Sequence, residues 1–217
     1  LVGVPHAATK AFSESPLTAA VFRAVERLRA LHDADRAVID LIALGPGVIP
    51  ALRHFLCRRE PSGLFQPRCN AVSVLSTLRA DEVLLDFLRR APAVEIADPV
   101  ERTGEDAVIN AAARALGHRR DDACFAILMT IAAQRPLAGV IEALGNMGRN
   151  AAIPRLVAGL SDDFTRHVAS AALLKLGTAA RPMLIETALR PVPSAAGETA
   201  TSRRTRWSAI GLLSEIG

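Results

Sequence analysis

The sequence is poor in aromatic residues and contains no tyrosine. Its 217 residues include seven Phe and one Trp, so aromatic residues make up only 4% of the chain. The cores of β-sandwiches and β-barrels draw on aromatic and β-branched residues, and this scarcity disfavours both architectures. Half of the chain is hydrophobic, and these residues are mostly Ala and Leu, which are strong helix formers. The composition therefore predicts an all-α protein.

Cysteine is also scarce, and a membrane-spanning run is missing. Cys57, Cys69 and Cys124 form an odd count without a CxxC motif, which is typical of reduced thiols in the cytoplasm. No uninterrupted apolar stretch reaches the about 18 residues of a transmembrane candidate, and no signal-peptide pattern is present. We therefore expect a cytoplasmic protein without a membrane span. The first residue is Leu1 rather than Met, which indicates removal of a preceding segment and leaves a cleaved signal peptide as the alternative.

Lysine is nearly absent from the basic residues. Lys10 and Lys175 are the only lysines among 26 basic residues, and the formal net charge is +4. Arginine is the side chain that binds carboxylates and phosphates in a planar, bidentate way. The bias runs along the whole chain, however, and a net charge of +4 is small beside that of a dedicated nucleic-acid binder.

A repeated helix pattern runs through most of the chain. One column of the repeat holds Leu six times, and the column four residues earlier holds a small residue. Spacings of three and four residues place such columns on one face of a helix, where a small residue lets a neighbouring backbone approach. The Leu column is Leu41, Leu75, Leu116, Leu144, Leu173 and Leu213, and the small-residue column is Ala37, Ala71, Ala112, Val140, Ala169 and Ala209.

A tight turn and a second apolar helix follow each of these helices. Gly45, Gly148 and Gly177 close three of the first helices, because glycine adopts the left-handed conformation of a helix end at little cost. Pro50 and Pro154 then fall in the first turn of the next helix, where the missing N–H group is not needed. Each repeat is therefore predicted to be a helix, a tight turn and a second helix.

These segments resemble the HEAT-repeat proteins, specifically the short bacterial type also found in phycobilin lyases. The resemblance rests on residues 143–160, 162–189 and 204–217 and covers about residues 34–217. It implies a right-handed α-solenoid that serves as a binding scaffold. The family pattern has an arginine near the start of the first helix, and Arg68, Arg166 and Arg206 occupy that place. Three other repeats depart from the pattern, with Ala34, Ile109 and Leu137.

The predicted architecture is a single solenoid domain over residues 1–217. It has an N-terminal extension at 1–15, a cap helix at 16–32 and a last helix at 203–217 that forms a half repeat. The five helix pairs between them are predicted at 34–58, 66–90, 105–133, 136–160 and 163–189. The half repeat favours a protein that continues beyond Gly217, and the alternative is that this helix serves as the cap. Trp207 lies in this helix, and we expect it in the core.

Three connections between repeats are longer than the turns within them, at 59–65, 91–104 and 190–202. The stretch 91–106 carries a net charge of −4, and the stretch 190–206 a net charge of +3. Long loops in a compact domain are usually functional or disordered. Either these insertions frame a partner site or they are ordinary solvated loops.

The second helices are expected to line the concave face, where a basic excess could bind acidic groups of another protein. Arginine is enriched at the energetic centres of interfaces. The candidate partner-binding residues are Arg53, Arg89, Arg90, Arg155, Arg190, Arg203 and Arg204. The leading hypothesis is a non-catalytic protein-binding scaffold. Nucleic-acid binding through the same arginines is an alternative, which scarce aromatic residues disfavour, and a chromophore-lyase subunit is a further alternative that rests on the resemblance alone.

Catalytic and metal-binding patterns are weak. His54, Cys57 and Cys69 supply three possible metal ligands without a fourth, and His118 beside Cys124 could form a Cys–His pair. Buried cysteines on a helix are more often core residues, and histidines at turns more often cap helices. Phosphate loops, GxSxG and HExxH motifs are absent from the sequence. We therefore expect no enzyme activity, no cofactor and no metal, and the oligomeric state stays open.

Overall fold

The protein is a stack of antiparallel helix pairs. A computed structural model describes residues 16–30, 32–58, 65–93, 95–190 and 198–217, and no strand occurs in these ranges. The twelve helices they contain are α1 (Pro16–Arg27), α2 (Ala34–Leu44), α3 (Ile49–Cys57), α4 (Gln66–Thr77), α5 (Asp81–Arg90), α6 (Pro99–Ala115), α7 (Asp122–Gln134), α8 (Ala138–Met147), α9 (Ile153–Gly159), α10 (Arg166–Leu176), α11 (Arg181–Leu189) and α12 (Ala200–Ile216).

The helices form two parallel rows. The first helices of the repeats, α2, α4, α6, α8, α10 and α12, contact one another in sequence order. The second helices of the repeats form the other row, which consists of α3, α5, α7, α9 and α11. We call these the B helices, and the solvent-facing side of their row the B-helix surface. The cap helix α1 packs on α2 and α3. The predicted all-α solenoid with five helix pairs, a cap helix and a half repeat is confirmed.

The core lies between the two rows and follows the repeat columns. All six residues of the small-residue column, from Ala37 to Ala209, are 0% exposed, and the Leu column is fully buried from Leu41 to Leu173. Because these side chains are small, the helices of the first row approach closely. A β-carbon at Gly139 of α8 would lie only 2.3 Å from the carbonyl oxygen of Asn110 in α6.

The turns within the repeats use the glycines that the sequence indicated. Gly148 ends α8 in the left-handed conformation with φ of 69°, and Gly177 ends α10 with φ of 58°. After α2 and after α10 the chain makes one turn of 310 helix before the second helix begins. Prolines at 50 and 154 occupy the first turns of α3 and α9, as predicted.

Two stretches, 34–57 and 166–189, are apolar and long enough by composition to cross a membrane. Each is interrupted by a 310 turn, so it consists of one helix of 11 residues and one of 9. A transmembrane helix needs about 20 residues. In the fold both stretches are ordinary helix pairs of the stack.

Two predicted boundaries are wrong. The cap helix ends at Arg27 rather than at His32. The helix predicted to start at 105 begins at Pro99, because Asp98 caps it by accepting hydrogen bonds from the backbone N–H groups of Val100 at 2.6 Å and Glu101 at 3.1 Å. An Asp followed by Pro is a helix-start signal, so the supposed insertion at 91–104 is about half as long as predicted. The N-terminal extension, and most of the connections 59–65 and 190–202, lie outside the described residues.

Candidate functional site

Two predicted arginines meet on the B-helix surface. Arg53 of α3 and Arg89 of α5 each donate to one oxygen of the Asp86 carboxylate, at 2.9 Å and 2.6 Å. Both arginine side chains are about half exposed, at 51% and 54%. Arg90 is adjacent in sequence and exposed. We call Arg53, Arg89 and Arg90, with Asp86 between them, the arginine cluster; its net charge is +2.

The arginine cluster lies at the C-terminal end of α5, whereas the other end of that helix is acidic. Glu82 in the first turn accepts a hydrogen bond at 2.6 Å from Arg119, which also donates to Asp121 at 2.6 Å. The Arg119 guanidinium holds the pKa of the Asp121 carboxyl below its usual value. One arginine between two carboxylates leaves this end negative. The charges also complement the dipole of α5, whose C-terminal end attracts cations.

The remaining predicted arginines do not join the cluster. Arg155 lies on α9, which is separated from α5 by α7 in the second row. Arg204 of α12 donates to Asp163 at 2.7 Å and is thereby held to the start of α10. Arg190 and Arg203 are exposed. The predicted set of seven residues is therefore divided into three groups: the arginine cluster on α3 and α5, Arg155 on α9, and Arg190, Arg203 and Arg204 on or next to α11 and α12.

Much of the acidic stretch 91–106 belongs to helix α6 rather than to an insertion loop, which corrects its predicted boundary. Glu105 lies inside α6, is 6% exposed and forms a buried ion pair with Arg68 at 2.6 Å. Asp106 pairs with Arg135, although its burial raises its pKa above the usual value. With Asp98 used as a helix cap, three of the five acidic side chains serve the fold.

The Arg68 side chain ties three repeats together. Its Nε donates to the carbonyl oxygen of Leu56 in α3 at 2.8 Å, and its guanidinium lies 5.6 Å from the ring centre of Phe87 in α5. Its third contact is Glu105 in α6. The sequence marked Arg68 as a family position but gave no sign of its partners, which are 12 to 37 residues away.

A cavity of about 650 Å³ opens beside the insertion, lined by Pro92, Glu95, Ile96, Ala97, Arg102, Gln134 and Arg135. Its two cations already have acceptors within the protein. Arg102 donates to the carbonyl oxygen of Ile96 at 2.6 Å, and Arg135 pairs with Asp106. These contacts hold the insertion against α6 and α7. Because both guanidinium groups are already bound to oxygens of the protein, the cavity does not present a ready anion-binding site.

The Cys and His candidates lie apart. The Nε2 atom of His118 contacts Asp81 at 2.8 Å, and its Nδ1 atom contacts the carbonyl oxygen of Ala115, so both ring nitrogens have partners other than Cys124. Cys124 is fully buried, and burial raises the pKa of its thiol to about 11. Within the described ranges, no group of three His, Cys, Asp or Glu side chains could hold a metal ion.

Trp207 is a surface residue, contrary to the expectation that it belongs to the core. Its side chain is 67% exposed on α12, next to Ile210, which is 43% exposed. The core side of α12 is formed instead by Ala209 and Leu212. The pattern of the first helices correctly placed Ala209, but Trp207 lies two residues away and so points to the opposite side.

Comparisons with known proteins agree with this architecture. The family model of the PBS lyase HEAT-like repeat matches residues 137–162, which span α8, α9 and the turn between them. No curated protein is significantly similar to the chain. The matched pair is one of five that stack in the same way. The chain is therefore a HEAT-like repeat protein.

Proposed function

We propose that this chain is a non-catalytic scaffold that binds an acidic segment of another protein through the arginine cluster on the B-helix surface. The observation that carries the proposal is the shared carboxylate of Asp86. It fixes one edge of the Arg53 and Arg89 guanidinium groups and leaves about half of each side chain exposed. Arginines whose orientation is fixed lose less entropy when they bind a carboxylate.

The insertion at 91–98 is the weaker candidate for the binding surface. Asp98 is used as a cap, and the cations of the neighbouring cavity are bound to protein oxygens. The arginine cluster, in contrast, has three cations and one carboxylate. The cluster, with its net positive charge, therefore attracts an anionic partner.

The cluster favours a protein partner over single-stranded nucleic acid. Phe55 of α3 and Phe87 of α5 are each only 6% exposed, so neither can stack on a base beside the cluster. Proteins that bind single strands combine basic grooves with exposed aromatic side chains. Carboxylate recognition by arginine needs no aromatic residue, since the guanidinium group binds it through two parallel hydrogen bonds.

Affinity capture from the native cell with quantitative mass spectrometry tests the proposal. The bait variants are the wild type, Arg53→Glu/Arg89→Glu and the matched control Arg36→Glu, which changes an arginine of α2 that is 74% exposed and pairs with Asp40. We expect at least one protein to be retained by the wild type and the control and lost with the double variant. Equal retention by all three baits, or retention that nuclease treatment abolishes, would contradict the proposal.

A further inference from the structure

The cavity of about 650 Å³ lies at the end of the helix that carries most of the arginine cluster. Helix α5 ends at Arg90 and continues directly into the 310 turn Ala91–Ala93, where Pro92 lines the cavity. On its other side the cavity is lined by Gln134 and Arg135 at the end of α7, the next B helix. The cavity therefore adjoins the edge of the B-helix surface, beside the cluster.

The distance from the centre of the arginine cluster to the cavity is short. Asp86, which binds two of the clustered arginines, precedes Pro92 by six residues, or about 9 Å along the helix axis. An extended chain covers about 3.3 Å per residue, so about three residues of a partner span this distance. A partner with carboxylates on the cluster thereby brings a residue about three positions away to the cavity.

The arginines of the cavity have free guanidinium faces although their hydrogen-bonding edges are occupied. Arg102 donates two hydrogen bonds to the carbonyl oxygen of Ile96, at 3.1 Å and 2.6 Å. Arg135 donates to the carboxylate of Asp106. The N–H groups of a guanidinium lie in its plane, so these bonds occupy edges and leave the faces available for stacking on an aromatic ring.

Arg149 shows this combination elsewhere in the same chain. It pairs with Asp122 and also donates to the carbonyl oxygen of Arg120. Its guanidinium carbon nevertheless lies 4.8 Å from the centre of the Phe125 ring. An arginine whose edge is bound to protein oxygens therefore still holds an aromatic ring in this fold.

The rest of the lining suits the indole of a tryptophan. Pro92, Ile96 and Ala97 supply apolar surface. Glu95 and Gln134 supply oxygen atoms that can accept a hydrogen bond from the indole N–H group. The volume falls within the about 300 to 1,000 Å³ of typical ligand pockets. Building on the proposed function, which places carboxylates on the arginine cluster, we propose that a tryptophan about three residues from these carboxylates binds in the cavity.

Fluorescence anisotropy with four labelled peptides tests this arrangement. Two peptides carry tryptophan three residues from an acidic pair, as Glu-Glu-Ser-Ser-Trp and Trp-Ser-Ser-Glu-Glu, and two matched peptides carry alanine instead of tryptophan. We expect one tryptophan peptide to bind the wild type about tenfold more tightly than its alanine counterpart. Ala97→Phe, whose ring fills the cavity, should abolish this advantage, and the control Ala171→Phe on α10 should keep it. Both alanines are exposed, so the fold is preserved.

The alanine peptides separate this inference from the proposed function, because their binding and its loss in Arg53→Glu/Arg89→Glu report on the arginine cluster alone. The inference is overturned, and the cluster is unaffected, if tryptophan adds no affinity in either direction. The same holds if its advantage survives Ala97→Phe or is lost in Ala171→Phe as well. Tryptophan-dependent binding that persists in Arg53→Glu/Arg89→Glu would contradict the link to the cluster, and absence of binding by all four peptides would contradict both.

Discussion

Replacing Arg68 by Met should destabilise the fold far more than the loss of an exposed ion pair. The Arg68 and Glu105 side chains are each 7% exposed, and their closest atoms are 2.6 Å apart. Removing one partner from a buried ion pair costs about 3 to 5 kcal/mol, because the remaining charge loses its compensation in a medium of low dielectric. The Leu56 carbonyl oxygen also loses its donor, so a total near the upper end, about 4 to 5 kcal/mol, is expected.

Urea unfolding followed by circular dichroism measures this cost against a matched pair. Arg114 and Glu142 also link neighbouring repeats at 2.8 Å, but their side chains are 49% and 42% exposed. Arg114→Met should therefore cost about 0 to 1 kcal/mol. The double variant Arg68→Met/Glu105→Leu should recover most of the stability, since an apolar pair of similar size can replace a buried ion pair. Equal costs for Arg68→Met and Arg114→Met would refute the reasoning.

Three further predictions concern packing, pH and thiol reactivity. Gly139→Ala should lower the free energy of unfolding by about 1 to 3 kcal/mol, because the new methyl group meets the backbone of α6. Gly211→Ala, at an exposed helix position with open space around it, should raise the free energy of unfolding by up to about 1 kcal/mol. Urea unfolding measures both changes. Arg119 lowers the pKa of Asp121 in the folded protein. The ionised carboxylate therefore stabilises the fold above the ordinary Asp pKa of 3.8, and this contribution is lost as the pH falls through the lower pKa of the folded state. The stability difference between wild type and Asp121→Asn should therefore shrink below about pH 3.8 in thermal scans, and a constant difference would argue against the ion pair. An alkylating reagent at neutral pH should label Cys57, which is exposed, and should reach the buried Cys124 only on unfolding, as peptide mass spectrometry would show.

The repeat architecture could be predicted because its signal is local. In each first helix the small residue lies four positions before the leucine, and all of these residues except Leu213 are buried. The early start of α6 was also visible as Asp98 followed by Pro99, but the acidic residues around it were interpreted as a loop. The position of a helix start depends on one cap, whereas charge counts average over many residues.

The contacts of the site could not be predicted in the same way. Arg53 and Asp86 are 33 residues apart, and Arg68 and Glu105 are 37 apart, so each pairing depends on how neighbouring repeats are stacked. The position of Trp207 depends on which side of α12 faces its neighbours. Periodicity places a residue on a face, but the three-dimensional packing decides which face is covered.

The affinity of a captured partner is the most direct measure of the central claim, which is that the arginine cluster binds an acidic protein segment. Isothermal titration calorimetry of the purified partner with wild type, Arg53→Glu/Arg89→Glu and Arg36→Glu gives this affinity at two salt concentrations. We predict that the double variant binds at least tenfold more weakly, a loss of about 1.4 kcal/mol or more, and that the control is unchanged. Equal affinity for all three proteins would contradict the claim.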